Sequence, residues 1–225
     1  MRGTGPERWR IASFAGGCVL LLVTAVTPLE ALTYHLLSMH LLQNVILAEW
    51  APGLLVLGIP PTLAERLGRV GVVRQLTRPP VALGLWLLAY FLWHLPPAYD
   101  AALEHPATLL HLEHVCYLAA GTLLWWPVFQ DAPHRLSNAA RALYLFAAFV
   151  LASPVGLLLA LVPEPAYDYY VEGGGLWGLG PHADQQIAGV TMSVEQALVF
   201  FAVFAVYFFR FLQDEERLEA PAGPK

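Results

Sequence analysis

Charge is scarce in this 225-residue chain. Asp, Glu, Lys and Arg make up 13% of it and hydrophobic residues 57%, whereas soluble domains carry roughly 25% charged residues. An ordinary water-soluble domain is thereby excluded, and a bilayer becomes the expected solvent. Cysteine is nearly absent. Cys18 and Cys116 lie far apart, inside apolar runs and without CxxC spacing, so each reads as a small buried hydrophobe. The chain has no HExxH motif and no evident internal repeat, and nothing in it supports nucleic-acid binding. The first apolar run follows Arg2, Arg8 and Arg10 as a signal peptide would. It continues through Thr27, Pro28 and Leu29 with no clear small-residue cleavage site, so it is read as a first helix.

What the chain does have is apolar runs that can each cross a hydrocarbon core, which takes about 20 helical residues. Six spans can be drawn, at about Ile11 to Val26, Leu32 to Gly58, Val81 to Leu95, Thr108 to Phe129, Ala139 to Val162 and Gln185 to Leu212. The predicted fold class is all-α, a polytopic membrane helix bundle of one domain over residues 1–212, with a frayed tail over 213–225. Charge separates by loop. All twelve basic residues, from Arg2 to Lys225, fall on one side of these spans, and the other side carries Glu30, Asp100, Glu104, Glu164, Asp168, Glu172 and Asp184. The positive-inside rule then places both termini in the cytoplasm. The arginine-rich stretch from Thr62 to Arg78 reads either as a short amphipathic helix along that interface or as a solvated loop. Trp86, Trp93, Trp125, Trp126 and the Tyr167, Tyr169, Tyr170 group are expected to form interfacial belts.

Seven of the eight histidines map to the side opposite the arginines. His35 and His40 enter the second span, His94 closes the third, His105 lies in the following loop, His111 and His114 begin the fourth span, and His182 precedes the sixth; only His134 lies elsewhere. Ionisable groups in or near hydrocarbon are costly and face a bundle interior or a cavity, which makes each a functional candidate. For a single interfacial histidine the ordinary role is a hydrogen bond to a neighbouring helix; clustering favours more. His111 and His114 are three apart and share a helix face. His35 and Met39 are four apart, as are His40 and Asn44. Imidazole suits copper, zinc and iron, and imidazole with thioether leans towards reduced copper. Glu113 lies about 100° around the helix from its adjacent positions, suited to orienting a ligand on another helix. The intramembrane Glu49 and Glu195 read as proton relays or as hydrogen-bonded structural groups.

Three segments carry a resemblance: "MHLLQNVILAEWAPGLLVLGIP" (39–60), "FLWHLPPAYDAALEHPATLLHLEHVCYLAAGTLLWWPV" (91–128) and "GPHADQQIAGVTM" (180–192). They resemble the integral-membrane CtaG family of cytochrome c oxidase assembly factors over residues 38–212. The resemblance implies a bacterial plasma-membrane protein, copper as the metal, and His40, His94, His111, His114 and Asp184 as functional positions. It also implies oxidase subunits and a periplasmic copper carrier as partners beside membrane lipid. One departure stands out: the family pattern has a second histidine four residues after the first, where this chain has Asn44. Asparagine is a poor ligand for a soft metal, and His35 with Met39, one turn earlier, is the candidate substitute.

Three functions are compatible with these residues. The first is a copper-handling assembly factor without enzymatic activity, its exchangeable ligands at the membrane surface flanked by acidic loops that concentrate cations. The second is a haem-binding redox protein, with His94 and His111 or His114 as axial ligands. The third is a membrane zinc hydrolase using His111, His114 and Asp184 as ligands and Glu113 as base.

Overall fold

The computed structural model describes residues 7–173 and 175–219. The described chain is an all-α bundle without named strands. Five helical stretches are long and apolar enough to cross a membrane: α1 (Arg8–Val26), the stretch Leu37–Gly58, Pro106–Phe129, α10 (Asn138–Leu161) and Pro181–Leu218. A sixth span arises if the bent pair α7 (Pro79–Trp93) and α8 (Pro96–Glu104) is taken as one, with a 72° bend between them. Pro96 and Pro97 explain the bend, because the residue before a proline is pushed out of the helical region and Leu95 is extended.

The second span is the centre of the bundle. Of its most apolar window 72% is buried, against 11% for α1. It is built from α3 (Leu37–Val45), one π-helical turn (Ile46–Trp50) and α4 (Ala51–Gly58). It begins later than the sequence suggests. Residues 28–33 form a separate short helix, α2 (Pro28–Thr33), and the chain breaks through Tyr34 to Leu36 before α3 starts. A second π-helical turn (Pro106–Leu110) leads into α9 (His111–Phe129). Such turns insert one residue into the helical ladder and recur at functional sites; here both lie beside buried polar residues.

The Thr62 to Arg78 stretch is helical but in two pieces, α5 (Pro61–Gly68) and α6 (Gly71–Leu76), interrupted at Arg69 and Val70. A short α11 (Asp168–Gly173) crosses the histidine end. The last helix, α12 (Pro181–Glu219), continues past residue 212 into the segment read as a tail; residues 220–225 lie outside the described residues, as do Arg2 and Lys225.

Small residues set the helix spacing. A Cβ on Gly121 of α9 would stand 2.1 Å from the carbonyl oxygen of Ala48, so α9 meets the first π-turn backbone to backbone. Gly156 and Gly189 do the same for α10 and α12, with a Cβ on Gly189 2.6 Å from the Gly156 oxygen. The tryptophans correct the sequence reading: Trp86, Trp93, Trp125 and Trp126 are all buried in the protein core, as are Tyr167 and Tyr170. Their ring area packs between helices and not against lipid headgroups. Cys18 and Cys116 are free thiols, each half-buried.

Candidate functional site

His40, on the second turn of α3, is completely buried. Its tautomer follows from counting protons. The hydroxyl of Tyr170, on α11, donates to the carbonyl of Thr33 at 2.7 Å and lies 3.1 Å from His40 Nδ1. Burial, above all, raises the phenols of Tyr170 and Tyr167 above their ordinary value, so each keeps its proton and uses it as a donor. With that proton committed to Thr33, the Tyr170 oxygen accepts from His40 Nδ1–H. In the neutral imidazole, Nε2 of His40 then carries the lone pair.

His40 Nε2 faces the carboxyl group of Glu113. Glu113 Oε2 lies 3.7 Å from His40 Nε2, both side chains fully enclosed. The other oxygen, Oε1, accepts from Asn44 Nδ2 at 2.9 Å. Geometry explains the pairing. Gly121 and Ala48 bring α9 and the second span into backbone contact, and Glu113 and His40 each lie about two turns before that contact on their own helices. Neither Glu113 Oε2 nor His40 Nε2 has a hydrogen-bond partner among the described residues. Two acceptors buried face to face are unfavourable unless a proton or a cation stands between them.

Two further imidazoles have a buried Nε2 without a partner among the described residues. His94, at the end of α7, donates from Nδ1 to the Tyr90 carbonyl at 2.7 Å, and its own carbonyl accepts from the Tyr167 hydroxyl at 3.1 Å. Its Nε2 is buried and unpartnered among the described residues, as is that of His114. His114 lies within electrostatic range of both Glu113 and His40. His111, 6.4 Å from His114 between ring centroids, is exposed and donates from Nδ1 to the Pro106 carbonyl at 2.6 Å. In each of His94 and His111 a backbone carbonyl fixes Nδ1–H and leaves Nε2 free, the usual preparation of a metal-binding imidazole. Tyr99, from α8, packs on His40 at 4.7 Å and on His94 at 6.3 Å between centroids, and its hydroxyl is also without a partner among the described residues.

Asp184 does something different. Its carboxylate accepts the backbone N–H of Leu37 at 2.5 Å and of Ser38 at 3.3 Å. Leu36, the residue before α3, supplies no side-chain cap, so α12 caps α3 from across the bundle and offers negative charge to its N-terminus. His35 is exposed in the turn before α3 while Met39 is half-buried on it, so the two do not share a helix face. His105 and His182 bond to the carbonyls of Ala101 and Val162. Among the described residues, no three His, Cys, Asp or Glu side chains are placed so as to hold one metal ion. The structure thus gathers His40, His94, His114 and Glu113 at one end of the bundle without closing them on a common point.

Deeper in the bundle, Glu49 lies on the first π-turn and accepts from Gln196 Nε2 at 3.1 Å, and the Trp50 indole donates to Glu195. The contributions of Tyr170 and Tyr99 carried no signal in sequence, since a buried tyrosine and an interfacial one look alike in composition; Asn44 stood out only as a departure from the family pattern, not as the partner of Glu113.

Fold and site together define a polytopic helical membrane protein with a buried, incompletely satisfied histidine–glutamate site at one end. The sequence pattern of the cytochrome c oxidase caa3 assembly factors (Caa3_CtaG) matches residues 1–214, and the chain belongs to that family. It is also similar to the uncharacterized protein ML1998 of Mycobacterium leprae, at 23% identity over 88% of this chain and 33% of that protein. It is similar to the uncharacterized protein Mb0105 of Mycobacterium bovis as well, at 24% over 91% of this chain and 34% of that protein. The chain therefore spans about a third of the length of these curated relatives. No solved structure matches it significantly.

Proposed function

We propose that the chain handles copper during cytochrome c oxidase assembly, without enzymatic activity, at the extracytoplasmic face of a bacterial plasma membrane. The family supplies the assembly role. The observation that supports copper is the set of buried, unpartnered Nε2 atoms on His40, His94 and His114 beside the unpartnered Oε2 of Glu113. Bare imidazole nitrogens suit copper in either oxidation state, and Glu113 supplies the charge that a buried cation needs. Copper is cargo in this reading. His111, exposed beside His114, is the exchange ligand through which a periplasmic carrier delivers it.

The test is copper stoichiometry of the purified protein loaded with Cu(I), alongside His40→Ala, His114→Ala and His111→Ala. Loss of one equivalent in the first two is expected, with slower loading in the third. Unchanged stoichiometry in all three would overturn the site. A visible spectrum of the protein as isolated discriminates further, since a Soret band would replace copper by haem.

A further inference from the structure

Away from the histidines, two cavities adjoin. The larger, about 350 Å³, is bounded by α1 and α12 and floored by α4 and α9, with Leu20, Leu57, Trp125, Phe129 and Val203 among its walls. It reaches from Glu49 to Leu57 along the second span, about 12 Å at 1.5 Å per residue. That is close to the depth of one leaflet, half of a hydrocarbon core about 30 Å thick. The smaller, about 120 Å³, shares Phe129 and is lined by Arg10, Glu65, Gln130, Asp131 and Arg141.

Arg10 joins the two. Its guanidinium donates to the carbonyls of Leu57 and Ile59 at 3.0 and 2.9 Å, at the outer end of the apolar cavity. Arg141, only 9% exposed, bonds Asp131 through Nη2 and leaves its Nε–H without a partner among the described residues. A buried charged donor without an acceptor is costly, and the pocket beside it is wide enough to admit one.

We propose that the two cavities form one phospholipid site, with an acyl chain of the arginine-side leaflet in the larger and the lipid phosphate against Arg10 and the Nε of Arg141 in the smaller. A helix, about 10 Å across, does not fit the apolar cavity; a single hydrocarbon chain does. Glu7, 3.9 Å from Arg10, together with Glu65 and Asp131, more than offsets the two arginines, so selection rests on the charge-assisted hydrogen bond to phosphate and not on net field.

Trp125 reports occupancy, because it is one of the residues that line the cavity and is otherwise enclosed in the protein, at 2% exposure. The full chain is placed in nanodiscs of unlabelled phosphatidylcholine containing a small fraction of lipid brominated on its acyl chains, and the Trp125 signal is taken as the difference from Trp125→Phe. Brominated phosphatidylglycerol is expected to quench it, with at least half of the quenching lost in Val203→Phe, which fills the cavity. Brominated diacylglycerol, lacking phosphate, should need about tenfold more lipid for the same effect, and Arg10→Gln should narrow that gap. Absence of quenching, or quenching unchanged by Val203→Phe, overturns the site. Equal quenching by the two lipids overturns its phosphate half and leaves a slot for an apolar chain or ring.

Discussion

Glu113 Oε2 faces the unpartnered Nε2 of His40 at 3.7 Å, with Asn44 holding the other carboxyl oxygen. The position where the family pattern has its second histidine thus holds the residue that orients Glu113. Asn44→Ala releases the carboxylate, and Glu113→Gln removes its charge. Each should weaken Cu(I) binding by about 10-fold to 100-fold, the range for lost supporting contacts at a metal site, measured by competition with a chelator. Equal affinity in wild type and both variants would remove Glu113 from the site.

Asp184 is expected to act as a cap and not as a ligand. Asp184→Ala leaves the Leu37 and Ser38 N–H groups buried without their acceptor and should cost about 1 kcal/mol of stability, within a range of about 0.5–2, read as lower thermal stability in detergent. Copper stoichiometry should stay at the wild-type value. A folded variant that loses an equivalent of copper would make Asp184 a ligand after all.

Gly121 is expected to be intolerant of any side chain. Its Cβ would stand 2.1 Å from the Ala48 oxygen and 2.7 Å from Pro52 Cγ, so Gly121→Ala must part α9 from the central span, at about 1–3 kcal/mol for overpacking. Gly84, whose Cβ would meet nothing within 4 Å, provides the control: Gly84→Ala should be neutral or stabilising by about 0.5–1 kcal/mol. Similar thermal shifts in the two variants would contradict the close contact.

Orientation can be tested with single cysteines in a Cys18→Ala, Cys116→Ala background. A membrane-impermeant maleimide applied to intact cells should label His105→Cys and leave His134→Cys unlabelled until the cells are opened. The reverse pattern would put the histidine end in the cytoplasm and remove the periplasmic carrier from the reading.

Much of this fold was legible from apolar run length alone, because a bilayer forces each span to satisfy its own backbone. The misread elements share a cause. Leu32 to Leu36 is apolar enough to extend a span, yet the chain breaks there because α3 finds its cap in Asp184, 147 residues from Leu37, a partnership no local pattern announces. The tryptophans read as interfacial anchors because hydropathy does not register what covers them: Phe200 of α12 packs on Trp86 and Trp125, and Trp93 lies among Leu47, Ala102 and Tyr117. Part of the residue cluster was visible in advance: position along the spans and the family resemblance singled out His40, His94, His111 and His114, and the structure gathers the first two with His114 and Glu113 at one end, but the hydrogen bonds that orient the rings rest on Tyr170 and on carbonyls that have no sequence signature. Met39 and His35 looked paired only under the assumption of continuous helix.

The brevity of α7 has a consequence for the lipid around it. Fifteen residues reach only about 22 Å, well short of a hydrocarbon core about 30 Å thick. Because α8 bends away by 72° just past His94, the pair adds little depth beyond that point, and a span this short favours local thinning of the bilayer or the sinking of water and headgroups to that level. A dimple of this kind would let a visiting protein reach the enclosed imidazoles along the membrane surface, without crossing oil, and a thicker membrane would close the approach.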